Sequence, residues 1–231
     1  MDDPVGALIF YVTFLFSTTV HEAAHAWAAF RGGDPTAYHG GQVSLDPLPH
    51  IRREPVGMVL LPIVSVLISG WPFGFASAPY DPLWAQRHPR RAAWMALAGP
   101  ASNLVLLILA VLAIRVGIGF DVLHPPSSIR FASMTAGVSE TWEQLGYILG
   151  VVFSMNLVLL ILNLLPVPPL DGSGALPLLL PPRAAERWLE FTQQPMLGWI
   201  GILIAWRMFD EIFMPVFFFA VDLIYPEAAY G

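Results

Sequence analysis

Three ionisable side chains, in the stretch His21-Glu22-Ala23-Ala24-His25, interrupt an apolar run that extends from Val5 to Phe30. A carboxylate near the middle of a membrane span costs about 2.5–3.5 kcal/mol on insertion scales, so an ionisable group at such a place marks a functional site. On a helix the i, i+4 spacing sets both imidazoles on one face, one turn apart, where two ring nitrogens can reach a single Zn²⁺ at about 2.0–2.1 Å. In a pattern of this kind the carboxylate is a base and not a ligand. Zinc lowers the pKa of a bound water from about 15.7 to about 7, and Glu22 is placed to take its proton.

Composition supports a bilayer setting. The 231 residues are 56% hydrophobic and only 12% charged, against about 25% charged in soluble domains, and the mean hydropathy is +0.63. The net charge of −6 therefore says little about partners, because in a membrane chain the division of basic residues between loops is what matters. Nothing points to nucleic acid. The absence of Cys excludes disulfides, thiolate metal sites and a thiol nucleophile. No basic segment precedes the first apolar run, which is expected to be a retained span and not a cleaved signal. With no repeat and no long polar stretch, residues 1–231 read as a single membrane-embedded domain, with a catalytic core over about 5–180 and a C-terminal hydrophobic helix over about 195–225.

Asp3-Pro4 suits a helix start and Gly32-Gly33 a stop, which predicts a first helix over about 5–31. His21 then lies about 15 Å from the Arg31 end. Residues 32–55 contain Asp34-Pro35, Asp46-Pro47-Leu48-Pro49 and Arg52-Arg53-Glu54, a density of turn signals that argues against another helix. His39 and His50 in this connection read as ordinary polar residues, with their distance from any metal left open. A second span is expected over about 92–119, with Gly99-Pro100 and Asn103 inside it, and a third over about 142–165. From residue type alone, Gly99-Pro100 is a packing notch and Asn103 interhelical hydrogen-bonding glue. Pro166, Pro168 and Pro169 end the third span, and Asp171-Gly172 follows in non-helical backbone. Such backbone survives at membrane depth where it lines protein or a wet cavity, so Asp171 is the best candidate for a third zinc ligand, a plain turn aspartate being the alternative. Residues 182–191 suggest an interfacial helix. Arg207, Asp210 and Glu211 suit mutual neutralisation on the last helix.

Taken in order, HEAAH, GPASN and NLLPVPPLDG resemble the motifs of the site-2 protease family of intramembrane zinc metalloproteases, over roughly residues 5–180. The chain is most similar to the compact prokaryotic branch without an inserted PDZ domain. The resemblance implies one Zn²⁺ held by His21, His25 and Asp171, Glu22 as base, and Asn103 holding the substrate backbone or the oxyanion. One departure is Ser77, which stands where members of the branch usually carry Lys.

The fold expected is an all-α polytopic membrane protein, with about four transmembrane helices around a buried zinc site. The function expected is cleavage of transmembrane segments of other membrane proteins. Rival readings are a prenyl-protein-type membrane zinc protease, which would draw its third ligand from a downstream Glu such as Glu140, Glu143, Glu186 or Glu190, and a non-catalytic metal-binding membrane protein. Arg31, Arg52, Arg53, Arg87, Arg90, Arg91, Arg183 and Arg187 adjoin the catalytic side, against Arg115 and Arg130 opposite. The positive-inside rule then turns that side to the cytoplasm of a plasma membrane. Since the first helix ends and the second begins on this side, residues 56–79 must cross an even number of times. They are too short for two spans, so a re-entrant segment is expected, turning near Gly70-Trp71-Pro72 and returning as a short membrane-depth strand.

Overall fold

A computed structural model describes residues 3–192 and 194–227. Helix α1 (Pro4–Arg31) starts where Asp3 accepts a hydrogen bond from the Gly6 N–H and stops at Gly32. Gly33 follows at φ 97°, a left-handed backbone that suits glycine. The connection expected to be free of helix contains two short ones, α2 (Thr36–His39) and α3 (Pro47–Arg53). Proline does not prevent α3, because Pro47 stands at its start, where a missing N–H costs nothing, and the Asp46 carboxylate accepts from the Leu48 N–H at 2.9 Å.

Residues 56–81 go out and come back. A π-helical turn (Val56–Leu60) runs into α4 (Leu61–Ser69), together about 21 Å long against the roughly 30 Å of a hydrocarbon core. Gly70, left-handed at φ 76°, ends the helix. The chain returns extended, and the Phe75 N–H donates to the Gly57 carbonyl at 3.1 Å. Neither Gly57 nor Gly74 has room for a Cβ, since that of Gly57 would strike the Phe75 carbonyl and that of Gly74 the Gly57 carbonyl. The expected strand is thus an extended segment without a strand partner.

After α5 (Pro82–Arg87), helix α6 (Pro89–Gly119) crosses with Pro100 inside it. A two-residue ladder, β1 (Leu123–His124) antiparallel to β2 (Ala136–Gly137), interrupts the next connection. Helix α7 (Glu140–Leu164) leads through the proline-rich turn to α8 (Asp171–Ala175). A 3₁₀ turn (Leu176–Leu178), α9 (Pro182–Thr192) and α10 (Pro195–Ile224) complete the chain. Among the described residues α1, α6 and α7 are long and apolar enough to cross a membrane, and α10 is a fourth long helix with an apolar section over Met196–Phe209. Its Arg207 and Glu211 approach to 3.9 Å. The side chain of Asp210 lies outside the described residues.

Helices α6, α7 and α10 share a core built from Leu107, Ile114, Phe153, Leu157, Phe213 and Phe217. In a bilayer such a core gains little by leaving lipid, so close packing is what holds it. The part of α6 that carries Gly99 and Asn103 faces the ligand histidines, and α1 and α8 both pack against this helix.

Candidate metal centre

The i, i+4 spacing in α1 brings His21 Nε2 and His25 Nε2 to 2.9 Å from each other. Asp171 arrives from a different element. The turn after α7 folds back so tightly that a Cβ on Gly172 would strike the Leu164 and Leu165 carbonyls, and this sets Asp171 at the start of α8. Its Oδ2 lies 3.0 Å from His21 Nε2 and 3.3 Å from His25 Nε2. All three residues are largely shielded from solvent, and Asp171 Oδ2 is buried without a hydrogen-bond partner.

The far side of each ring fixes where the hydrogen of the neutral imidazole sits. His25 Nδ1 is 2.7 Å from the Met95 carbonyl oxygen, which can only accept, so Nδ1 carries the hydrogen and Nε2 a lone pair. His21 Nδ1 is 2.6 Å from Asn103 Oδ1, with the same consequence. With both rings neutral, three lone pairs face one another at 2.9–3.3 Å, an arrangement that repels unless a cation is shared. A tetrahedral zinc with bonds of about 2.0–2.1 Å has ligand-to-ligand edges of about 3.3 Å, so the donor set fits this ion. Gly99 of α6 adds to the fit, because a Cβ there would run into both Nε2 atoms. What reads in sequence as a packing notch is the floor of the ligand cluster.

Asn103 requires a correction. Expected to reach the substrate backbone or the oxyanion, it is completely buried behind His21, with Oδ1 on the imidazole and Nδ2 donating to Asn156 Oδ1 at 2.9 Å. Both ends of its amide are thus engaged within the protein, one of them on a ligand ring. Sequence reasoning missed Asn156 and Ser17, which continue this network from α7 and α1, with Asn156 Nδ2 donating to Ser17 Oγ at 3.0 Å. The signal was available for Asn156, a polar residue inside an apolar span like Asn103.

Glu22 is buried, with Oε2 lacking any hydrogen-bond partner, as an acceptor awaiting a proton would be. Among the described residues His21, His25 and Asp171 form the one group able to hold a metal. His50, also buried, stands in α3 with Nε2 3.0 Å from the Ser44 carbonyl oxygen. His39, Glu140, Glu143, Glu186 and Glu190 are outside the group, and Glu143 instead accepts from the Gly137 N–H. The downstream Glu ligand of the prenyl-protein-type reading is thus absent among the described residues. Ser77 lies on the returning segment, where its hydroxyl donates to Glu54 Oε1 at 2.6 Å and its carbonyl accepts from Arg53 and Gln42.

The sequence profile of peptidase family M50 matches residues 9–206, which covers both the HEAAH helix and Asp171. The chain belongs to peptidase family M50. This is the site-2 protease family that the motifs resemble. Relatives of this M50 chain agree. YwhC of Bacillus subtilis, classed by name among zinc metalloproteases, is 31% identical over 197 residues, spanning 84% of this chain and 77% of its own. Rip2 of Mycobacterium tuberculosis, of the same naming, is 31% identical over 211 residues, 91% of this chain and 71% of that one. Rip2 of Mycolicibacterium smegmatis is 32% identical over 176 residues, 74% and 58% of the two chains. No solved structure matches the chain at comparable stringency.

Proposed function

We propose that this M50 chain is an intramembrane zinc endopeptidase that cleaves a peptide bond within or near a transmembrane segment of another membrane protein. The observation that carries the reading is the convergence of His21 Nε2, His25 Nε2 and Asp171 Oδ2 at 2.9–3.3 Å, with Glu22 buried beside them in a membrane-spanning helix. His21, His25 and Asp171 would hold one Zn²⁺ per chain. Bound there, zinc supplies a Lewis acid for the scissile carbonyl and acidifies water. Glu22 takes the proton from the attacking water and returns it to the leaving amine.

A helical substrate hides its carbonyls in i to i−4 bonds and must unwind locally before attack. The returning segment offers a template, because the backbone groups of Ala76 and Ala78 have no hydrogen-bond partner among the described residues. An extended substrate can pair there as an added strand. The excess of Arg near the ligand side favours a multi-pass arrangement in a prokaryotic plasma membrane, with the active site toward the cytoplasm. A reporter fused to a transmembrane substrate, incubated with the purified protein, tests the activity. Cleavage should be lost with a chelator and restored by Zn²⁺, and Glu22→Gln should lower it by about 10²–10⁴-fold while zinc remains bound. Undiminished cleavage by Glu22→Gln would refute the assignment.

A further inference from the structure

The two histidines reach the same tautomer by different means. His25 Nδ1 faces a backbone carbonyl, which has no hydrogen to offer, so its state follows directly. His21 Nδ1 faces the amide of Asn103, and a carboxamide can present either its oxygen or its NH₂ group. Something else must decide which end Asn103 turns to the ring.

The deciding group lies two residues further on. Asn156 Nδ2 is 2.8 Å from the Val152 carbonyl oxygen and 3.0 Å from Ser17 Oγ. A carbonyl only accepts, so this end of Asn156 must be the NH₂ group, and the opposite end, facing Asn103, must be Oδ1. Asn103 then has to turn its own NH₂ toward Asn156, as observed at 2.9 Å, and its Oδ1 toward His21. Nδ1 of His21 must in turn carry hydrogen, which in the neutral ring leaves Nε2 as a lone pair facing His25 and Asp171. Reversing either amide would set like groups against each other, in a place where Asn103 and Asn156 are both completely buried and water cannot compensate. Ser17 does not decide the direction, since a hydroxyl can donate or accept.

We infer that Asn156 is a positioning residue. With Asn103 it relays the polarity of the Val152 carbonyl to His21, and so holds the His21 Nε2 lone pair toward the metal. The inference deepens the zinc-site reading and rests on it. It assigns a role to a residue on α7 that touches neither metal nor substrate.

The full-length protein labelled with ¹⁵N-histidine, purified and metal-free at a pH well above imidazole titration, gives the first test. His21 signals, assigned with His21→Asn, should report the Nδ1–H tautomer. An Nε2–H tautomer in the parent protein overturns the relay outright, whatever the variants do. In Asn156→Leu, His21 should become a mixture of tautomers while His25 stays unchanged, and zinc affinity from chelator competition should fall about 10–100-fold, as for other groups that orient metal ligands. Ser17→Ala removes a buried hydrogen bond of the same network but keeps Val152, so its affinity should stay within about threefold of the parent. Equal losses in Asn156→Leu and Ser17→Ala, or an unchanged His21 in Asn156→Leu, would show packing in place of relay. Failure of the zinc-site reading looks different: the parent and His21→Asn would then bind zinc equally poorly, and the relay would fall with the site.

Discussion

Helix α1 is flanked by two regions built on opposite terms. At the metal centre both ligand rings are matched on their far side, by the Met95 carbonyl on His25 and by the Asn103 and Asn156 amides behind His21. The re-entrant segment is held by scattered contacts, among them the Gly57–Phe75 bond, the Ser65 hydroxyl accepting from the Phe73 N–H at 2.7 Å, the Arg53, Glu54 and Gln42 contacts around Ser77, and the Trp71 ring between Phe10 and Phe131. One face of it is open, with Ile68 81% and Phe75 51% exposed although Met58 and Val66 are buried, where the ligand histidines are 5–6% exposed. A ligand set has to be saturated to stay in one geometry. A segment that receives an extended chain has to keep hydrogen-bonding groups available.

The sharpest way to break this comparison is at the centre. Asp171→Ala should lose both activity and bound zinc, read by metal analysis of the purified protein, and a variant holding zinc like the parent would remove Asp171 from the ligand set. Gly99→Ala acts through volume alone, because its Cβ runs into both Nε2 atoms. Its zinc affinity should fall by at least about 10-fold.

A smaller effect is expected at the returning segment. Arg53→Gln with Ser77→Ala frees the backbone there without touching the ligands, so KM for a transmembrane substrate should rise severalfold with zinc content unchanged. A fall in kcat at constant KM would instead tie the segment to the chemistry. Because the chain has no Cys, a single cysteine at Ser77 can also be probed with impermeant thiol reagents. Labelling should come only from the cytoplasmic side and be blocked by a peptide-like inhibitor.

Where the segment ends the effect is on stability and leaves the ligands untouched. Asp34 is buried and accepts from the Thr36 hydroxyl, the Asp81 N–H and the Thr36 N–H. Burial pushes its carboxyl up, but these hydrogen bonds outweigh it and hold the pKa below the ordinary value. A depressed folded-state pKa means that the stabilisation is fully present above the unfolded value, about 3.9, and is lost as pH falls through the folded one. Asp34→Asn turns an NH₂ group toward one of these donors and should cost about 1–3 kcal/mol at neutral pH. Thermal unfolding should show a lowered Tm at pH 7, with the gap to the parent closing in acid.

Much of this protein was legible in its sequence, and the reason is local. The i, i+4 spacing of His21 and His25 is a property of one helix, and so needs no partner to be read. The same holds for the three long apolar helices and for the out-and-back course of residues 56–81, which follows from length and from parity. Asp46-Pro47, taken as a turn, begins a helix, because Asp at an N-cap and Pro at the first helical position serve both purposes. What only the tertiary structure decided is what each polar residue faces. Gly99 proved to be the floor under two ligands, and Asn103 the support of His21 and not a hand on the substrate. Asn156, unremarked in an apolar run, stands behind Asn103. Hydrophobic periodicity says which residues lie in the membrane, but a hydrogen bond between helices depends on their rotation and depth. Those are set by packing across α1, α6 and α7, and no single stretch of chain contains them.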